Sequence, residues 1–309
     1  MYKIAILVLF VAFFSACGSP PPPPPEPLDA PLKIVATVFP QYDFIRNIAG
    51  DRVDLTMLIP PGTDSHYFEP TVQDIAILAE ADLLVYVGER SENWLYPTLA
   101  SIERPDMQTI SIIDFVETMQ ELHFDDEGER VGNSQIDEHI WTSPWNAVSI
   151  VEGITDALSQ MDPINADFFR QNADTYIREL ELLGQSLHTT MNMSARQVVV
   201  FGDRFPFLYL TTHLGLTAFA AFDNCSDNMQ ADPARVAQLI DLVNEQEIPV
   251  VFYTEFSDGT IANAIAEATG AELLQIHSAH NLTQEEFEDN VTFLELMWHN
   301  IDVLRAALW

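Results

Sequence analysis

Apolar residues along the chain gather in two groups of short runs, separated by a long stretch of helical spacing. In the first group, residues 33–39, 55–59, 83–87 and 109–113 are short apolar runs. They read as strands buried on both faces, as in parallel sheets. Residues 41–48, 72–81 and 94–102 between them carry helical patterns, and alternation of this kind predicts βαβ units. Gly50, Gly62 and Gly88 punctuate the ends of these elements. The second group repeats the plan, with strands expected at 197–201, 217–222, 248–253 and 272–276 and helices at 235–246, 261–269 and 285–308. The last helix is expected to be long and amphipathic, with Phe287, Val291, Leu294, Met297, Ile301 and Leu304 near one face.

Between the groups, after a break at Asp162-Pro163, Phe169, Ala173, Tyr176, Leu180, Leu183 and Leu187 recur at helical spacing within 166–191. At 1.5 Å per residue such a helix runs roughly 35–40 Å, a strut of the length needed to join two lobes. The expected organisation is an N-terminal α/β lobe over 32–145, a helical region over 146–193 and a C-terminal α/β lobe over 194–309.

The segment before the first lobe has a different character. Met1-Tyr2-Lys3 is a short positive start, and residues 4–14 form an apolar run too short to span a bilayer. Residues 1–16 therefore read as a secretory signal. Phe14-Ser15-Ala16-Cys17-Gly18 resembles a bacterial lipobox, in which Cys17 takes a diacylglyceryl group and becomes the mature N-terminus. Residues 17–31 follow as a linker containing an unbroken proline run from Pro20 to Pro25, a polyproline II spacer that lifts a folded body off a surface. The expected location is extracytoplasmic, lipid-anchored to the bacterial cell membrane.

Composition narrows the partners. The net charge is −34, from 13 basic and 47 acidic residues, and nucleic-acid binding needs a basic face. Hydrophobic content of 48% is enough for proper cores. With Cys17 spent on lipid, Cys225 has no partner for an intramolecular disulfide.

Three histidines stand near expected strand ends or in loops: His66, His139 and His277. In open α/β sheets ligands bind beyond the carboxyl ends of the strands. His66 follows the second strand, His277 closes the last, Glu255 closes the strand before it, and His139 precedes a helix beginning near Pro144. Imidazoles are common ligands of divalent transition metals, so His66, His139, His277 and Glu255 are the expected metal ligands. His280, Cys225 and Asp203 remain alternatives for the third and fourth positions. Three imidazoles with a carboxylate or water suit tetrahedral Zn²⁺. Manganese prefers more oxygen, while copper and nickel also bind imidazole tightly.

At this point the chain resembles the zinc and manganese solute-binding lipoproteins of bacterial metal ABC transporters. The resemblance rests on the stretch from Gly62 to Thr71, which contains His66, on the stretch from Asp137 to Pro144, on Asp162-Pro163-Ile164-Asn165-Ala166 with Asn172-Ala173, and on Glu267-Ala268-Thr269-Gly270-Ala271. It implies two lobes, each with a four-stranded parallel sheet, joined by one long helix. It also implies the capture of a divalent metal, zinc foremost, and its delivery to an ABC permease. Two positions depart from the family pattern: Gly202 stands where the family has a third histidine, and His277-Ser278 where it has an aspartate before a serine. A surface adhesin on the same fold is the alternative reading. A zinc hydrolase is less favoured, because no His-Glu-x-x-His motif appears. No enzymatic activity and no catalytic residues are expected.

Overall fold

The computed structural model describes residues 30–88, 92–102, 104–124, 130–222 and 232–309. The signal segment, Cys17, the proline run, the acidic loop at 125–129 and Cys225 lie outside the described residues. Among the described residues, no helix is long and apolar enough to cross a membrane.

The first lobe runs β1 (Leu32–Ala36), α1 (Phe39–Ala49), β2 (Val53–Met57), α2 (Val72–Glu80), β3 (Leu83–Tyr86), α3 (Leu95–Ile102) and β4 (Gln108–Ser111). A hairpin of β5 (Gln120–Phe124) and β6 (Arg130–Ile136) follows. Next come α4 (Pro144–Met161) and the long α5 (Ala166–Asn192). The second lobe runs β7 (Val198–Phe201), α6 (Leu208–Leu214), β8 (Thr217–Ala220), α7 (Pro233–Glu245), β9 (Val250–Tyr253), α8 (Thr260–Thr269), β10 (Glu272–Gln275), α9 (Gln284–Glu288) and α10 (Phe293–Leu308). The two large sheets have orders β2-β1-β3-β4 and β10-β9-β7-β8, and every pairing in them is parallel. Each sheet is thus wound outward from its first strand, which leaves a topological switch beside β1 in one lobe and β7 in the other.

Side-chain alternation along the strands explains how both faces are filled. On β1 and β3, Ile34, Ala36, Leu83 and Val85 point to the large central core, while Val35 and Leu84 point outward beneath α2 and α3. On β7 and β9, Val199, Phe201, Val250 and Phe252 face the central core, and Val200 and Val251 face a cluster under α7 and α8. This is the period of two expected of a strand, with both sets apolar because both faces are covered.

The long helix forms as its spacing predicts. Phe169, Ala173, Tyr176, Leu180, Leu183 and Leu187 are all buried, and α5 packs against α4, α1 and α10. At 27 residues it is about 40 Å long. The central core is continuous from the first sheet across α4 and α5 to the second sheet and α10. Asp43 of α1 adds a polar tie within it: its Oδ2 accepts the backbone N–H of Phe293 at 3.1 Å and the Tyr176 hydroxyl at 3.3 Å. Burial pushes the Asp43 carboxyl up, opposed by the Arg46 guanidinium beside it.

Two expectations are corrected. The first strand ends at Ala36, before Phe39, because Phe39-Pro40 opens α1 with proline in its first turn. The single terminal helix expected over 285–308 is two helices. Thr283 with Glu286 and Thr292 with Glu295 each form a capping box, and Asn290 between them takes φ 56°.

Candidate metal centre

His66 sits in a 3₁₀ turn, Ser65–Tyr67, in the connection that leaves β2. The turn is fixed by Asp64, whose Oδ1 accepts the His66 N–H at 3.0 Å. His139 immediately precedes the 3₁₀ turn Ile140–Thr142 that leads into α4. Asp137 Oδ1 accepts its N–H at 2.9 Å and stands 3.2 Å from its Nδ1. A carboxylate against one ring nitrogen is the arrangement that fixes a ligating imidazole's tautomer and orientation.

The second lobe brings His280 to these two. The ring centroids of His280 lie 5.2 Å from both His66 and His139, and those of His66 and His139 lie 6.1 Å apart. Glu138 completes the group: one ligand atom each from His66, Glu138, His139 and His280 all lie within 4.8 Å of one another. Glu138 Oε1 is buried, 3.3 Å from His66 Nδ1 and 3.8 Å from His139 Nε2, yet it accepts no hydrogen bond. Trp141 packs edge-on against His280 at 4.9 Å and donates its Nε1–H to the Ser278 carbonyl at 2.9 Å. Ser65 Oγ lies 2.8 Å from His280 Nε2.

His277 and Glu255, both expected as ligands, are not brought into this group. β10 ends at Gln275, and the chain then turns through Ala279 at φ 56°. His277 is folded back on its own loop, with Nδ1 accepting the Ala279 N–H at 2.9 Å, so the side chain that enters the site belongs to His280. His277 lies between Glu255, at 3.7 Å, and Glu286, at 3.6 Å. Burial works against its charge, but the two carboxylates outweigh burial and raise its pKa. The same contact holds Glu286 down to about 2. Glu255 lines the cleft and spends both oxygens on Ser278, accepting its N–H at 2.9 Å and its hydroxyl.

Of the alternatives, His280 is in the group. Asp203 is not: its Oδ2 accepts both the N–H and the hydroxyl of Thr254 at 2.8 Å. Glu138 escaped the sequence reading, although it adjoins His139 in the very motif that marked His139.

The electrostatics favour neutral, metal-ready imidazoles. Burial lowers the pKa of His66 despite the nearby Glu138 carboxylate. Burial lowers His280 further, with His66 and His139 adding like-charge repulsion. The His66, His139 and His280 imidazoles and the Glu138 carboxylate, gathered in a partly desolvated cleft, form a donor set suited to a tetrahedral divalent ion.

The chain matches the family described as zinc-uptake complex component A, periplasmic, over residues 34–307. It belongs to this family. Members are components of a metal-uptake complex rather than enzymes. Relatives include the zinc-binding lipoprotein AdcA of Streptococcus pneumoniae, 28% identical over 99% of this chain and 61% of that protein. The chain thus spans under two thirds of the pneumococcal protein. The high-affinity zinc uptake system protein ZnuA of Bacillus subtilis is 28% identical and matches end to end, over 100% of this chain and 97% of its own length. Among solved structures, the Zn(II)-bound ZnuA-like domain of S. pneumoniae AdcA is similar with a TM-score of 0.75 and 26% identity, covering 90% of this chain and 99% of that one. The metal-dependent lipoprotein YcdH of B. subtilis gives a TM-score of 0.76 at 26% identity, with 90% and 99% covered. The family's two α/β lobes with four-stranded parallel sheets joined by a long helix are the fold described above.

Proposed function

We propose that this protein is an extracytoplasmic solute-binding component that captures one divalent transition-metal ion, zinc foremost, and hands it to an ABC permease while anchored to the membrane through Cys17. His66, His139, His280 and Glu138 hold the ion; His277 and Glu255 support the loop that carries His280. The observation that carries this reading is the Glu138 Oε1 atom, buried against imidazole nitrogens and without a hydrogen bond. A buried carboxylate oxygen facing nitrogen lone pairs is costly until a cation arrives. Three imidazoles and one carboxylate favour zinc over the more oxygen-demanding manganese. The relatives named for zinc binding support the same ion.

The test is calorimetric titration of the metal-free protein with zinc. One ion bound per chain is expected, and an absence of binding heat together with an absence of competition against a chelator would sink the reading.

A pH dependence follows from the imidazoles. Because burial lowers the pKa values of His66 and His280 from 6.5, both rings keep their neutral form to lower pH than a free imidazole does. Zinc affinity should therefore fall on acidification, as protons begin to compete for the rings. The same shift makes the metal-free fold lose stability on acidification, since protonation favours the unfolded chain. Titrations at several pH values check the sign; an affinity that rises on acidification would contradict it.

A further inference from the structure

The turn that carries His66 is gripped by the second lobe from two sides, and the two grips differ in kind. On one side the contacts are neutral and come from buried residues of the second lobe. Asn281 Nδ2 donates to the Pro60 and Thr63 carbonyls at 2.9 Å each, and the Gly62 N–H donates to the Leu282 carbonyl at 2.6 Å. On the other side the grip is ionic and half open to solvent. Arg204, in the loop after β7, donates from Nη1 to Asp64 Oδ2 at 3.0 Å and from Nη2 to the Tyr67 hydroxyl oxygen at 3.4 Å. The side chains of Arg204 and Asp64 are 30% and 27% exposed. Both line the same cleft as His66, His139 and His280.

Asp64 is the link between this ion pair and the site, since one of its oxygens takes the guanidinium and the other takes the His66 N–H. Arg204 is itself held firmly: Asp203 Oδ1 accepts the Arg204 N–H at 2.8 Å, and the other Asp203 oxygen is tied to Thr254. The loop it restrains has room to move. Gly62 sits at φ 77°, with no atom within 4 Å of where a Cβ would lie. A buried neutral hinge at Asn281 and Leu282, a pliant Gly62 and a solvent-facing ion pair describe a flap that is fixed at one edge and latched at the other.

We infer that Arg204 is a positioning residue for metal exchange: through Asp64 it latches the His66 turn across the mouth of the cleft and thereby sets how fast the ion enters and leaves. This rests on the metal-capture reading. A half-exposed ion pair strengthened by a second hydrogen bond alters such a rate modestly, by about fivefold. It also makes the rate sensitive to salt, because screening weakens the pair.

The experiment loads the full chain with zinc, mixes it with excess chelator and follows release by stopped-flow fluorescence, with Trp141 beside His280 as reporter. In the wild type, release should quicken as ionic strength rises. R204Q should release zinc about fivefold faster at low salt and lose most of that salt dependence, while R204K should keep most of the wild-type behaviour. A purely structural role would lower thermal stability without flattening the salt response. Release from R204Q within twofold of wild type, or an undiminished salt response, would overturn the latch. A wild-type rate indifferent to salt would do so without any variant. A wild-type chain that takes up no zinc would instead overturn the metal-capture reading itself.

Discussion

Replacing His280 by alanine is expected to weaken zinc binding by more than about 100-fold, whereas replacing His277, which only supports the loop, should weaken it by about tenfold. The two residues are three positions apart, and the strand-end rule favours His277, yet their side chains go to different places. His280 lies among His66, His139 and Glu138, and is 8% exposed. Losing it removes a donor atom, which costs more than the 10- to 100-fold typical of losing a supporting residue. His277 sits behind that group between Glu255 and Glu286. Its loss should appear in stability instead, at about 2 kcal/mol, because a buried carboxylate is left without its cation; the partial exposure of Glu286 keeps the figure below that of a fully buried pair. This contribution is full below the ordinary histidine pKa of 6.5 and is lost as pH rises through the raised value in the folded chain. Chelator competition and thermal unfolding of both variants separate the cases. Equal loss of affinity in the two variants would show that His277 reaches the ion as well.

Restoring a side chain at position 202 should damage the fold rather than the metal site. The family resemblance puts a histidine there, which makes Gly202→His an inviting repair. A Cβ at Gly202 would lie 2.3 Å from the Ala262 Cα and 2.8 Å from its backbone nitrogen, so the obstacle is the main chain of α8 and not a side chain that can swing aside. Even Gly202→Ala should cost about 3 kcal/mol, near the upper end for overpacking, because backbone has to shift. For a chain of this size that corresponds to a fall of about 5 °C in melting temperature. Gly202→His should do at least as much harm and gain no zinc affinity. A Gly202→Ala protein melting within a degree or two of wild type would refute the close approach. The same contact gives a physical reason for the missing histidine: α8 occupies its space, and the second lobe supplies an imidazole from the β10–α9 loop instead.

Much of the frame was legible because each strand is buried on both faces. Residues 83–87 read as a strand without ambiguity, since Leu83 and Val85 serve one core and Leu84 the other. The 166–191 helix was equally plain, every residue of its apolar series being buried. The break before α10 was signalled by Thr283 with Glu286 and Thr292 with Glu295, but helical apolar spacing on both sides of Asn290 masked it. Two of the four clustered residues, His66 and His139, were read from their motifs. His280 was only an alternative, because its entry depends on Ala279 adopting φ 56°, a conformation that alanine does not advertise. Glu138 was hidden in plain view, since nothing local tells a carboxylate that faces the imidazoles from one that faces solvent.

The uninterrupted core that passes through α5 has a consequence for how the molecule lives and fails. Residues of both lobes share the same buried face of that helix and the same Asp43 tie between α1 and α10. Neither lobe could come apart without laying bare apolar surface that belongs to the other. Resistance to heat, proteases and mutation is therefore a property the two halves hold in common, and an injury to one half is felt by the whole chain.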